Sequence, residues 1–143
     1  MAGLQDDVKH LATTYNEAVS KLDYFILGVA LAVCAYLAQT NPYAKLGANK
    51  ETFLLASLLV FASSAVCGFK RIEAMNKAIR MNALALGQPE PQARAYYLEK
   101  IRKEPNAQRW YAARNYLLAA GLLCYLATKV WAAYQNNGWI PVH

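Results

Sequence analysis

Leu4, Val8, Leu11, Tyr15, Val19 and Leu22 recur three or four residues apart with polar residues between them. This is the spacing of one apolar stripe on a helix, and it predicts an amphipathic helix over residues 1–23. Asp6 and Asp7 lie near its start, where carboxylates favour the helix dipole. The pattern then changes. From Tyr24 to Ala44 the chain carries no charged side chain, and Phe25 to Ala38 is apolar on every face, as a helix crossing a hydrocarbon core of about 30 Å requires. Residues 24–44 are therefore the first predicted transmembrane segment, continuous with the amphipathic helix and ended by Gln39, Thr40, Asn41 and Pro42.

A second uncharged run covers 52–69, with its helix starting near Asn49, so the short connection makes a transmembrane hairpin. No proline or glycine stops this helix between Phe69 and Gly87, and Ile72, Met75, Ile79, Asn82 or Ala83, and Leu86 continue a stripe beyond the apolar run. Gly87-Gln88-Pro89-Glu90-Pro91 reads as a stop and a turn, followed by a helix from Gln92 to about Lys103 that Pro105 ends. Asn106 is the expected cap of the last helix, which holds a third span over 115–134 and leaves a tail over 135–143. The fold class expected is an all-α membrane bundle: a single membrane domain of three transmembrane helices with helical extensions packed on one another.

Charge orients this architecture. The segment 70–114 carries ten Lys and Arg against four Glu, a net +6 that equals the charge of the whole chain. Basic segments beside apolar runs stay on the cytoplasmic side, which places the N-terminus and 70–114 inside and the C-terminus outside, in a bacterial inner membrane. Lys70, Arg71, Arg109, Arg114 and Lys129 flank the apolar runs and are expected to contact anionic lipid headgroups. Tyr96, Tyr97, Trp110 and Tyr111 interleave with basic residues, as in nucleic-acid grooves, but interfacial anchoring explains them more simply and no nucleic-acid partner is expected. Trp131, Tyr134 and Trp139 form the matching aromatic belt at the far interface.

The chemistry is sparse. Cys34, Cys67 and Cys124 fall one in each apolar run, with no C-x-x-C pair, and His10 and His143 lie on opposite sides of the membrane. That spacing fits neither a disulfide framework nor a metal site. With no catalytic motif and the acidic residues read as outside the hydrocarbon, no enzyme activity and no cofactor is expected. Small residues recur four apart at Ala30, Cys34 and Ala38, at Ser64 and Gly68, and at Ala120, Cys124 and Thr128. Helices in lipid associate by close approach across such residues, so these are the expected packing or partner positions.

From Tyr15 to Leu86 the order of amphipathic helix, hairpin and projecting helix, chiefly the run SLLVFASSAVCGFKRIEAMNKAI, resembles the SLATT-type membrane modules of bacterial defence systems. That resemblance implies a pore-forming or membrane-perturbing effector, from whose two-helix pattern the third apolar run departs. The residues themselves point to a non-enzymatic module acting by protein–protein interaction, as an immunity, regulatory or accessory subunit with a membrane-protein partner or as a homo-oligomer. A self-associating pore is the alternative. It would need a wettable face, for which Ser57, Ser63 and Ser64 are the candidates, and Ser63 lies off the line of the other two at 100° per residue.

Overall fold

In the computed structural model, which describes residues 2–43, 45–103 and 107–136, four helices follow one another: α1 (Ala2–Thr40), α2 (Lys50–Leu86), α3 (Pro91–Lys103) and α4 (Ala107–Asn136). Three helical segments, in α1, in α2 and in the stretch ending in α4, are long and apolar enough to cross a membrane. The fold is an all-helical bundle. The expected Asn106 cap, Pro105 and the tail 137–143 with Trp139 and His143 lie outside the described residues.

The helix boundaries follow from local chemistry. Asn49 caps α2, its Oδ1 accepting from Thr52 N at 2.9 Å and from Thr52 Oγ1 at 2.7 Å. Gly87 closes α2 in a right-handed conformation, its N–H donating to Ala83 O at 3.1 Å, and Pro91 opens α3 where a helix has no use for an N–H. At the end of α1, Tyr43 takes φ of 47°, uncommon for a bulky residue, and its hydroxyl donates 2.8 Å to Ala38 O near the end of the helix.

α2 is the central helix, with α1 and α4 both packed antiparallel along it and α3 folded against it as well. The buried positions of α1 are Asp23, Leu27, Ala30 and Leu37, with Asn41 just past its end, and those of α2 include Ser57, Phe61, Ser64, Gly68 and Arg71. Both sets step by three and four, or by their sum of seven, which keeps one seam of each helix on its neighbour. On α4 the buried set is Arg114, Gly121 and Thr128, seven apart. Gly121 is there because a Cβ would meet the Phe61 ring at 3.2 Å, and Gly68 lets Leu27 Cδ1 and the Arg114 stem come within 3.3 and 3.5 Å of where its Cβ would be.

Two packing expectations need correction. Of the stripe at the start of α1, Leu11, Tyr15 and Leu22 do not pack on the rest of the bundle, being 67%, 70% and 51% exposed, while Val19 is half-buried. Instead α1 presents Asn16 and Ser20 to α2, across a cleft of ≈ 260 Å³ shared with Ile72, Met75, Asn76 and Asn82. The small-residue stripes are also only partly inside. Ala30, Ser64, Gly68 and Thr128 are buried, Cys34 and Cys124 half-buried, but Ala38 and Ala120 are exposed. Seven-residue spacing, not four, fixes the face of α4, so Gly121 takes the place at α2 expected of Ala120.

Candidate functional site: a buried charge cluster joining three helices

The three spans meet at one end of the bundle in a cluster of charge. Asp23 stands at the beginning of the first apolar run, Arg71 at the end of the second and Arg114 at the beginning of the third. The antiparallel order of the helices brings the three to one level. Arg71 Nε donates to Asp23 Oδ2 at 2.7 Å and Arg114 Nη1 donates to Asp23 Oδ1 at 2.7 Å, so one carboxylate serves two helices with one oxygen each. The relative exposures are 2% for Asp23, 8% for Arg71 and 1% for Arg114.

Arg71 and Arg114 therefore do not reach out to lipid headgroups as expected. Their stems leave the helices on the seam side, and the only low-energy place for a guanidinium on that side is beside a counter-charge. Lys70, one residue earlier, points 100° away and behaves as expected of a surface cation, pairing with Glu73 at 2.8 Å. That lysine holds the Glu73 carboxyl below its ordinary range, by hydrogen bond first and charge second. Arg109 and Lys129 are also exposed, the latter with Nζ 5.7 Å from the Tyr125 ring centroid.

Around the cluster, an aromatic face, an amide and a hydroxyl compensate buried polarity. The Tyr111 ring lies 4.2 Å from Arg71 Cζ and 5.2 Å from Arg114 Cζ, offering its negative face to both cations. Arg114 Nε donates to Asn115 Oδ1 at 3.2 Å, and Ser64 Oγ donates 2.9 Å to Arg114 O, tying α2 to the backbone of α4. Arg114 Nη2 alone of the buried side-chain nitrogens and oxygens among the described residues lacks a partner. With two guanidiniums against one carboxylate, the cluster carries a formal charge of +1.

Asp23 is the residue that sequence reasoning missed. Standing before an apolar run, it reads as a membrane-boundary residue facing water. The signal was its phase, because Asp23, Leu27, Ala30, Cys34 and Leu37 share the three–four spacing of one seam. Among the other singled-out residues, the three cysteines are free and half-buried. Ser57 and Ser64 are fully buried, Ser57 Oγ donating to Phe53 O at 2.9 Å, while Ser63 is exposed with its hydroxyl on Leu59 O. Trp131 packs edge-on against Phe53, ring centroids 5.3 Å apart. No family model matches the chain, and neither a curated protein nor a solved structure does.

Proposed function

We propose that this protein is a non-enzymatic integral membrane protein that acts through its surfaces, as a regulatory, immunity or accessory subunit does, in a bacterial inner membrane. The N-terminus and the basic segment 70–114 are cytoplasmic and the Asn41 turn is outside, because twelve Lys and Arg fall on the first side and two in the turn. The observation that carries the reading is the bare apolar face of α1 before its membrane run: Leu11, Tyr15 and Leu22 are half or more exposed in a segment that meets water. Soluble surfaces rarely leave such a row uncovered unless a partner covers it.

The buried chemistry supports the same reading. Asp23 gives each carboxylate oxygen to a guanidinium, so it serves as a fixed counter-ion for two helices. Against the pore alternative, Ser57 and Ser64 are buried between helices with their hydroxyls bonded to backbone carbonyls, which supports the binding module over a conducting face. Expression in a bacterium carrying a membrane-potential dye tests the choice. Undisturbed potential, with the protein recovered in a defined complex, is expected; prompt depolarisation would mean a pore.

A further inference from the structure

The exposed face of α1 is longer and more regular than an amphipathic stripe needs to be. Leu11, Tyr15, Ala18, Leu22, Phe25, Val29, Ala32 and Tyr36 step by four and three without a break, and in sequence the repeat extends back to Val8 and Leu4. All eight described positions are exposed, the large ones by 67% at Leu11, 70% at Tyr15, 51% at Leu22, 68% at Phe25, 41% at Val29 and 54% at Tyr36. The face packed on α2, from Asp23 through Leu27 and Ala30 to Leu37, lies roughly 125° round the helix at 100° per residue. α1 thus has two apolar seams. One is filled by α2 and the other is bare from the aqueous segment into the membrane run.

We infer that the bare seam is a self-association surface, on which α1 of a second copy of this chain packs in a parallel, in-register coiled coil. This rests on the proposal that the protein acts through its surfaces and names the partner of that face. Over Leu4 to Leu22, where polar residues flank it, a seven-residue repeat is the pattern by which one helix keeps a seam on another, and the unbroken helix carries that seam into a run that is apolar on every face. The occupant must run along the same axis from water into lipid. A second copy does so by symmetry, because the charge bias orients every copy alike and makes the two helices parallel.

Area and charge both fit that occupant. Taking about 150–250 Å² for an exposed aromatic side chain and less for Leu and Val, the six large side chains offer on the order of 700 Å² per copy, roughly half of it on Leu11, Tyr15 and Leu22 in water and the rest on Phe25, Val29 and Tyr36, where the second copy replaces lipid. In a parallel pair Thr14 lies across from Val19 and Lys21 across from Ile26, so the flanking positions oppose no like charges. In the membrane run the repeat places Ala32 on the seam with Gly28 and Ala35 beside it, and a Cβ at Gly28 would meet nothing within 4 Å, so backbones can approach closely there.

Cysteine scanning in native membranes tests this. In a background of C34A, C67A and C124A, single cysteines replace Leu11, Tyr15, Ala18 and Leu22 on the seam, and His10 and Glu17 off it, followed by mild oxidation. The expected result is disulfide-linked dimer of this chain at the four seam positions and its loss at the two controls. Adducts with a different protein at those same positions would refute the second copy while sustaining a binding surface; absence of adducts at every position would overturn both. Because these side chains are already exposed in the single chain, L11K with L22K should keep the helix content by circular dichroism. The same variant should convert dimers to monomers in single-molecule counting on native nanodiscs. A wild-type chain that counts as monomer would contradict the inference.

Discussion

The two ends of the α1–α2 hairpin are held by different chemistry. At the turn end the chain itself joins the helices, and neutral groups complete the contact: Asn41 Nδ2 donates to Glu51 O at 3.3 Å and Asn49 Nδ2 to Lys45 O at 2.8 Å. At the other end no turn joins α1 to α2, and α4 must be held too, so ion pairs through Asp23 link all three. Amides on backbone atoms fix a local conformation at modest cost. A buried carboxylate between two guanidiniums specifies which helices meet and at what register, since any slip leaves a charge in a low-dielectric site unpaired. Covalent continuity makes such a device unnecessary at one end, and its absence makes it useful at the other.

The largest expected effect comes from breaking the charged end. Asp23→Ala leaves both guanidiniums buried without a counter-ion and should cost about 3–5 kcal/mol, read as a large drop in thermal midpoint in nanodiscs. Overpacking the contact between α2 and α4 ranks next: Gly121→Leu drives a side chain into the Phe61 ring and should cost about 1–3 kcal/mol while leaving the α1–α2 pairing intact. Cysteine pairs across each interface would separate the two effects. At the turn end Asn49→Ala removes one cap, for about 1 kcal/mol, and a loss as large as that of Asp23→Ala would erase the distinction between the ends.

Smallest is the surface pair. Glu73 is held below its ordinary range by Lys70, so its contribution is present above the unfolded value and fades as pH falls through the folded one. Lys70→Ala should move the Glu73 titration upward, as followed by carboxyl NMR shifts, with little change in stability.

Much of this fold is legible in the sequence because its punctuation is local. Asn49, Gly87 and Pro91 bound helices by what their own side chains and backbones can do, and long uncharged runs announce the spans. The cluster is less legible because it depends on phase between helices. Lys70 and Arg71 look equivalent beside an apolar run, and only the turn of 100° between them, measured against Ser64 and Gly68, puts one outside and the other in. The N-terminal stripe misled for a related reason. Its period identifies an apolar face, but which way that face points is decided by the second seam through Asp23, Leu27 and Ala30, which turns it away from α2.

Asp23 is the shared counter-ion that sets the meeting of α1, α2 and α4. Unfolding free energies in bicelles for Asp23→Leu alone and for Asp23→Leu combined with Arg71→Met and Arg114→Met test it directly. The single variant should be strongly destabilised and the triple variant should recover most of the loss, because removing all three charges abolishes the unpaired burial that removing one creates. A triple variant as unstable as the sum of its parts would contradict the claim, and would mean that the three side chains contribute independently.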